Sequence, residues 1–186
     1  LDIIVVAVPE DAVEESRALL AGIELPITIV SGGETRQDSV ARALLALPPE
    51  VDVVLVHDAA RPLVPADVVD RVATAVRAGA QAVVPTLGVV DTIKEVDADG
   101  VVSATLERAR LRAVQTPQGF DRDVLQRAHA ASDGGDATDD AGMVERMGIA
   151  VQTVAGHEEA FKITRPLDLV LAEAILVRRR ATGGVG

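Results

Sequence analysis

Cysteine is absent from the 186-residue chain, as are tryptophan and tyrosine, and phenylalanine occurs twice. Without thiols the chain can form no disulfide, no thiolate zinc site and no cysteine nucleophile. Because the whole chain has three histidines, a histidine-rich metal site is not expected. With aromatic residues at 1%, a flat ligand such as a nucleobase would find almost no ring to stack on. Backbone groups and small polar side chains would have to recognise such a ligand.

Long apolar runs are also missing. The longest, such as residues 3–9, fall far short of the roughly 20 residues that a membrane-spanning helix requires. The 18 basic and 29 acidic side chains give a net charge of −11, which argues against bulk binding to nucleic acid or to an anionic membrane. A small basic pocket for a phosphorylated ligand remains compatible with this balance. No signal-peptide pattern opens the sequence, so we expect a cytoplasmic protein.

What the sequence does contain is an alternation of short apolar runs and amphipathic stretches. The predicted strands are 3–8, 27–30, 51–56, 81–85, 112–116 and 151–154. The predicted helices are 10–21, 37–47, 65–78, 121–130, 139–147 and 166–180. Apolar strands between amphipathic helices are typical of a sheet covered on both faces. The sequence predicts a single α/β domain over residues 1–186, with a Rossmann-like, mostly parallel sheet and helices on both faces.

Residues 88–106 break this alternation. Two short alternating runs flank Asp97-Ala98-Asp99-Gly100, and an Asp-Gly turn between such runs indicates a β-hairpin. A hairpin inserted in an α/β domain is expected to project, and exposed strands of this kind often pair with a partner chain. We expect residues 88–106 to form a projecting β-hairpin dimerisation arm, with a solvated surface hairpin as the alternative.

Two segments that follow predicted strands are candidate ligand sites, since ligands in open α/β sheets bind beyond the carboxyl ends of the strands. Gly32 and Gly33 allow a close approach to the backbone, and Ser39 lies at the front of the next helix, where donors meet polar or anionic groups. Asp58 and Arg61 follow a very apolar strand and suit a divalent cation and a phosphate, respectively. Plain turn chemistry and a surface ion pair are the alternatives, and His57 is expected to support the loop.

Two later segments carry weaker signals. Lys162 lies in a short extended apolar run before a helix, an expensive place for a cation unless it faces an anion. Thr138 opens the tripeptide Thr138-Asp139-Asp140, which either contacts a ligand or only caps the helix that follows.

Six motifs recur here in the order and with the spacing of a known family. They are Gly32-Gly33-x-x-Arg36-x-Asp38-Ser39-Val40, Val56-His57-Asp58-Ala59-Ala60-Arg61-Pro62, Asp91-Thr92-Ile93-Lys94, Gln115-Thr116-Pro117-Gln118-Gly119-Phe120, Thr138-Asp139-Asp140 and Phe161-Lys162-Ile163-Thr164. On these motifs the sequence resembles the 2-C-methyl-D-erythritol 4-phosphate cytidylyltransferases of the non-mevalonate isoprenoid pathway. The resemblance implies cytidylyl transfer from CTP to the sugar phosphate with release of pyrophosphate. It also implies a Mg²⁺ cofactor and a homodimer formed through the hairpin arm.

The same resemblance implies a role for each matching position. The residues implied for the nucleotide are Gly32, Gly33, Glu34, Ser39, Asp58 and Ala59. Those implied for methylerythritol phosphate are Asp58, Arg61, Thr92, Arg108, Thr116, Thr138 and Lys162. Lys162 and Arg108 are the implied catalytic residues, and Asp58 is the implied magnesium ligand. Thr92, Arg108 and Thr138 would reach the substrate from a neighbouring subunit.

The family pattern begins with a strand, a glycine-rich nucleotide loop and a Pro-Lys pair, whereas this sequence opens on what resembles the family's second strand. Because that segment holds the triphosphate in the family, we expect the chain alone to be at least about a thousandfold slower than one that carries the segment. Two alternatives stay open. One is a ribitol-5-phosphate cytidylyltransferase, against which the small pair Ala59-Ala60 weighs. The other is a non-catalytic domain that binds nucleotide or dimerises.

Overall fold

The computed structural model describes residues 1–131 and 138–183. Within them the strands are β1 (Ile4–Val8), β2 (Ile27–Ser31), β3 (Val53–Val56), β4 (Ala82–Gly88), β5 (Lys94–Val96), β6 (Val102–Thr105), β7 (Arg112–Val114), β8 (Gln118–Asp121) and β9 (Gln152–Ala155). The helices are α1 (Val13–Leu20), α2 (Arg36–Leu45), α3 (Ala66–Arg77), α4 (Arg122–Ala131), α5 (Asp140–Arg146) and α6 (Pro166–Ala181). All six predicted helices are present, with ends shifted by at most three residues.

The main sheet is built around β4. Strand β8 lies between β3 and β4 and is antiparallel to both, while β9 pairs in parallel with the other edge of β4. Strand β7 precedes β8 on the same edge of β4 and is also antiparallel to it. Strands β1 and β2 form a separate parallel pair. Within the described ranges neither of them joins the main sheet.

The prediction of a mostly parallel sheet is therefore wrong for the main sheet. A parallel neighbour needs a crossover connection, usually a helix. Instead, the β5–β6 hairpin follows β4 and returns the chain toward the end of β4, so the next strands run back along it. The sequence pattern does not predict β8 at all, because its residues, Gln-Gly-Phe-Asp, contain neither an apolar run nor a β-branched side chain.

Two apolar layers cover the main sheet, one on each face. On one face, Val54 and Val56 of β3 pack with Phe120 and the helix residues Val124 and Leu125. On the other face the alternate positions of β3 pack with α3, in a cluster that contains Val53, Leu55, Val72, Val76 and Val83. Helices thus cover both faces, as the sequence pattern predicts.

Helix α3 approaches the sheet closely at Gly119 of β8. A Cβ atom at this position would lie 2.5 Å from Cγ1 of Val72 and 3.0 Å from Cγ2 of Val76. Because any side chain would collide with these buried valines, the glycine in the Gln118-Gly119-Phe120 motif serves the packing of α3 on β8.

The hairpin of β5 and β6 is a two-stranded antiparallel sheet of its own. Its turn is held by Asp97, whose Oδ1 accepts hydrogen bonds from the backbone N–H groups of Asp99 and Val101. Gly100 supplies the positive φ of +80° that this turn requires. Val96, Val101 and Val102 are exposed, so the hairpin presents apolar side chains to its surroundings. Its role as a dimerisation arm stays a prediction.

Over residues 1–131 and 138–183, no helix is long and apolar enough to cross a membrane.

Candidate active site

A cleft of about 530 Å³ opens beside the carboxyl end of β3. Its apolar part is lined by residues 4–7 of β1 and by Val54 and Val56 of β3. Its charged end is formed by Arg36 at the start of α2, Asp58 in the loop after β3, and Lys162 in the extended segment before α6. Ser39 and Ala59 line the same cleft. Three segments that are distant in the chain therefore bring their polar residues to one place.

Asp58 is the centre of this charged end. Its Oδ2 lies 3.2 Å from Lys162 Nζ and 3.7 Å from Arg61 Nε, while its Oδ1 accepts a hydrogen bond from Arg36 Nε at 3.3 Å. Burial alone would raise the pKa of this carboxyl, but the Lys162 ammonium and the Arg36 guanidinium outweigh burial and hold the pKa below its ordinary value. Asp58 is thus a carboxylate at neutral pH with three cations around it.

The loop that carries Asp58 is held by Thr116 and His57. Asp58 donates its backbone N–H to Thr116 Oγ1 at 3.0 Å, and Oγ1 lies 2.9 Å from His57 Nδ1. His57 Nε2 lies 3.2 Å from the Arg61 carbonyl oxygen, which can only accept, so Nε2 carries the proton and Nδ1 accepts from the threonine hydroxyl. Desolvation lowers the pKa of His57, which fits this neutral tautomer. His57 therefore supports the loop, as expected, and buried Thr116 positions Asp58.

Arg61 joins this loop to the segment that carries Lys162. Its Nη1 donates to the Ala160 carbonyl at 2.8 Å, and the Ile163 N–H donates to the Ala60 carbonyl at 2.8 Å. Burial lowers the pKa of Arg61 below its ordinary value. Its Nε is buried and lacks a hydrogen-bond partner among the described residues, although it faces Asp58. These contacts fix Arg61 and Lys162 on the same side of Asp58.

The glycine loop is folded onto the first turn of α2. Thr35 caps this helix in a reciprocal capping box with Asp38. Gly33 donates its N–H to Ser39 Oγ at 3.0 Å, and the Ser39 hydroxyl donates to the Thr35 carbonyl at 2.9 Å. A Cβ at Gly33 would lie 2.1 Å from Asp38 Cβ, so this glycine is required by the close approach of the loop to the helix. Glu34 is exposed at the loop tip.

Three of the predicted site residues lie outside this cluster. Arg108, which follows the hairpin in the sequence, is exposed and donates a hydrogen bond to the Val90 carbonyl at 2.6 Å. Thr92 is exposed at the start of the hairpin, and Thr138 is exposed next to Asp139, the N-cap of α5. Among the described residues that line the cleft, none of the three appears. The structure thus gathers Asp58, Arg61, Thr116 and Lys162 but leaves Thr92, Arg108 and Thr138 on the surface of the subunit.

Asp58 is a suitable ligand for Mg²⁺, although not a complete site. Over the described ranges, no group of three histidine or acidic side chains could hold a metal ion. Mg²⁺ is typically bound by one or two carboxylates together with substrate phosphates and water. One carboxylate with 15% of its side chain exposed, beside cations that attract phosphate, matches that mode of binding.

A profile of the family described as "IspD: 2-C-methyl-D-erythritol 4-phosphate cytidylyltransferase" matches residues 1–178. The chain belongs to this family. It is 57% identical over 194 residues to the 2-C-methyl-D-erythritol 4-phosphate cytidylyltransferase of Streptomyces avermitilis, covering 99% of this chain and 77% of the relative. The relative of the same name from Streptomyces coelicolor is also 57% identical, with 99% of this chain and 72% of the relative covered.

Solved structures of the cytidylyltransferase family share the fold. The 4-diphosphocytidyl-2C-methyl-D-erythritol synthase of Anaerococcus prevotii superposes with a TM-score of 0.87 at 30% identity, over 95% of this chain and 79% of that chain. The 2-C-methyl-D-erythritol 4-phosphate cytidylyltransferase of Thermus thermophilus gives a TM-score of 0.76 at 41% identity, over 92% and 80% of the two chains. The family resemblance and the α/β class predicted from the sequence are confirmed.

Two residues within the cytidylyltransferase motifs, and one outside them, make contacts that the sequence analysis does not assign. Arg36 bridges Asp58 and the fully buried Asp140, whose Oδ2 accepts from Arg36 Nη1 at 2.6 Å. His129 Nε2 lies 2.9 Å from the other oxygen of Asp140. Burial would raise the pKa of Asp140, but His129 and Arg36 hold the pKa below its ordinary value. Arg36 and Asp140 are 104 residues apart, so no local spacing reveals the pair.

Proposed function

We propose that this protein transfers the cytidylyl group of CTP to 2-C-methyl-D-erythritol 4-phosphate. The products are 4-diphosphocytidyl-2-C-methyl-D-erythritol and pyrophosphate. The observation that carries the proposal is the cluster of Arg36, Arg61 and Lys162 around Asp58, in a chain whose relatives bear the name of this activity. Because the whole chain has a net charge of −11, this local concentration of cations is the natural site for phosphate groups.

The reaction needs no protein nucleophile. A phosphate monoester is largely dianionic at pH 7, so an oxygen of the sugar phosphate can attack the α-phosphorus of CTP directly. The new bond joins that oxygen to the α-phosphorus, and the bond from the α-phosphorus to the bridging oxygen of the β-phosphate breaks. Pyrophosphate leaves with the electron pair. The difficulty is electrostatic, because two anions must meet and charge develops on the leaving group.

The cations of the cluster meet this difficulty. Lys162, which is about half exposed, exchanges its contact with Asp58 for the phosphate oxygen that attacks. Arg61 contacts the same phosphate, and Thr116 keeps the Asp58 loop in place through its buried hydroxyl. Asp58, relieved of Lys162, would then be the protein's ligand to Mg²⁺ beside the triphosphate. The ion supplies charge neutralisation on the phosphate oxygens when it is bound.

The nucleotide lies along the glycine loop. Gly32, Gly33, Glu34 and Ser39 border the cytosine, and Ala59 lies against the ribose. Small residues and backbone groups suit this task in a chain that has no tryptophan or tyrosine. In place of ring stacking, recognition of the base rests on hydrogen bonds to its edge.

The remaining predicted residues act across a homodimer. The exposed valines of the β5–β6 hairpin form the contact with the second subunit. Thr92, Arg108 and Thr138 then reach the substrate of the neighbouring subunit, which accounts for their position away from their own cleft. Each active site is composite, with Lys162 from one subunit and Arg108 from the other.

The proposal predicts which sugar phosphate the protein uses. In the presence of Mg²⁺, pyrophosphate release from CTP should require 2-C-methyl-D-erythritol 4-phosphate, with CTP alone giving no release above background. Ribitol 5-phosphate is the matched control, since it offers the same attacking group on a different polyol. A coupled pyrophosphate assay with each acceptor measures the two rates. Equal or faster turnover with ribitol 5-phosphate would reject the substrate assignment.

A further inference from the structure

A buried carboxylate lies directly behind the charged end of the cleft. Asp140, the first residue of α5, has no exposed side-chain surface. Its two oxygens have different partners: Oδ2 accepts from Arg36 Nη1 at 2.6 Å, and Oδ1 accepts from His129 Nε2 at 2.9 Å. Because Asp140 is ionised and can only accept, His129 Nε2 carries the proton of this hydrogen bond. His129 thus occupies one oxygen and leaves the other to the arginine.

Arg36 is shared unequally between two carboxylates. Its Nη1 contact with buried Asp140 is 2.6 Å long, whereas its Nε contact with Asp58 Oδ1 is 3.3 Å long. An unrestrained guanidinium tends to grip a carboxylate with two parallel N–H groups. Since Nη1 is committed to Asp140, the contact of Arg36 with Asp58 is the Nε contact alone. The other Asp58 oxygen, Oδ2, faces Lys162 and Arg61.

We propose that Asp140, held by His129, is a positioning residue that acts through Arg36 on Asp58. By retaining Nη1 it keeps Arg36 from closing on both oxygens of Asp58, and it leaves Oδ2 to exchange between Lys162 and a divalent cation. This inference rests on the proposed function, in which Asp58 holds the cation. It assigns a role to Asp140 and His129, neither of which touches a reactant.

Replacing Asp140 should weaken the binding of a divalent cation, and replacing Arg36 in addition should restore it. In Asp140→Asn, Arg36 loses its anionic anchor, turns both N–H groups to Asp58 and competes with the cation. We expect the affinity for Mn²⁺, used as the probe, to fall by about tenfold or more. A loss of this size is typical when a residue that orients a metal ligand is replaced. Adding Arg36→Gln removes the competitor, so the double variant should regain binding to within about threefold of the wild-type protein. A residue needed only for stability would make the double variant worse.

Binding of Mn²⁺ is measured with saturating CTP and no sugar phosphate, by the enhancement of water-proton relaxation that protein-bound Mn²⁺ gives over Mn²⁺ and CTP alone, for the wild-type protein, Asp140→Asn and the double variant. Asp67→Asn, the same substitution in a carboxylate paired with Arg71 on α3, is the control and should bind Mn²⁺ normally. Thermal unfolding establishes that each variant is folded. Wild-type protein that binds no Mn²⁺ would reject the cation assignment of the proposed function. Wild-type binding with an unchanged Asp140→Asn, or with no recovery in the double variant, would overturn the positioning role.

Arg36→Gln and Arg36→Lys provide the test should Asp140→Asn fail to fold. Arg36 is about one-third exposed, and lysine has no fork with which to bridge two carboxylates. Both variants should bind Mn²⁺ at least as tightly as the wild-type protein, because each relieves Asp58 of its contact with the arginine. Weaker binding in either folded variant would contradict the proposal.

Discussion

Asp58→Asn is expected to lower kcat by about a hundredfold to a thousandfold, the usual loss when an electrostatic group that stabilises the transition state is removed. Asparagine keeps the shape of the side chain, but it has one oxygen instead of two and carries no charge. The anion proposed to bind Mg²⁺ is lost, and excess Mg²⁺ should recover only part of the rate. The loop keeps its fold, since the Asp58 backbone N–H still donates to Thr116.

The matched control is Asp52→Asn, at the opposite end of the same strand. Asp52 immediately precedes β3 and is exposed, whereas Asp58 follows the carboxyl end of β3 in the cleft. The control should retain the wild-type rate and the wild-type dependence on Mg²⁺. Steady-state rates over a Mg²⁺ series measure both. An Asp58→Asn variant with ordinary activity at ordinary Mg²⁺ would show that Asp58 is only an ion-pair partner of the neighbouring cations.

Mixing two inactive variants is expected to restore activity. Arg108→Ala and Lys162→Ala should each give a nearly inactive homodimer, because in the proposed two-fold dimer every site combines Lys162 of one subunit with Arg108 of the other. When the two are unfolded, mixed equally and refolded together, about half of the dimers contain one chain of each kind. In such a dimer one site has both residues intact and the other site has neither. Roughly a quarter of all sites should therefore regain activity.

Refolded wild-type protein is the control for this experiment, and native mass spectrometry counts the mixed dimers. If Arg108 and Lys162 served the same subunit's site, every site would retain one lesion and mixing would restore nothing. Mixed dimers without recovered activity would therefore contradict the shared site. A protein that stays monomeric at assay concentrations would contradict the hairpin as a dimerisation arm.

The helices of the fold could be predicted from the sequence because each has an apolar face and recognisable ends. Strand β8 could not be predicted, because it depends on tertiary contacts: Gly119 packs against Val72, and Phe120 is buried in the core. The antiparallel direction of the main sheet could not be predicted either. The β5–β6 hairpin returns the chain to the end of β4, so the next strands run antiparallel to β4. The alternation of strands and helices in the rest of the sequence favoured a parallel sheet instead.

Part of the candidate site could likewise be predicted from the sequence, and part could not. Asp58 and Lys162 could be predicted because each stands out against apolar neighbours, and the structure places them 3.2 Å apart. The contact of Arg36 with Asp140 could not, because it joins residues 104 positions apart and closes only when α2 and α5 pack near the same strand end. The contact of Thr116 with substrate stays a prediction, whereas the hydrogen bonds of its hydroxyl to Asp58 and His57 join segments far apart in the sequence and could not be predicted.

In the proposed reaction an oxygen of the sugar phosphate attacks the α-phosphorus of CTP. To test this attack, the protein is supplied with CTP, Mg²⁺ and 2-C-methyl-D-erythritol 4-phosphate labelled with ¹⁸O on its phosphate, and the reaction is followed by ³¹P NMR. Direct attack should give two coupled diphosphate resonances in the product, with every ¹⁸O retained there and none in the pyrophosphate. Release of pyrophosphate or inorganic phosphate without a new diphosphate, or ¹⁸O in the pyrophosphate, would contradict it.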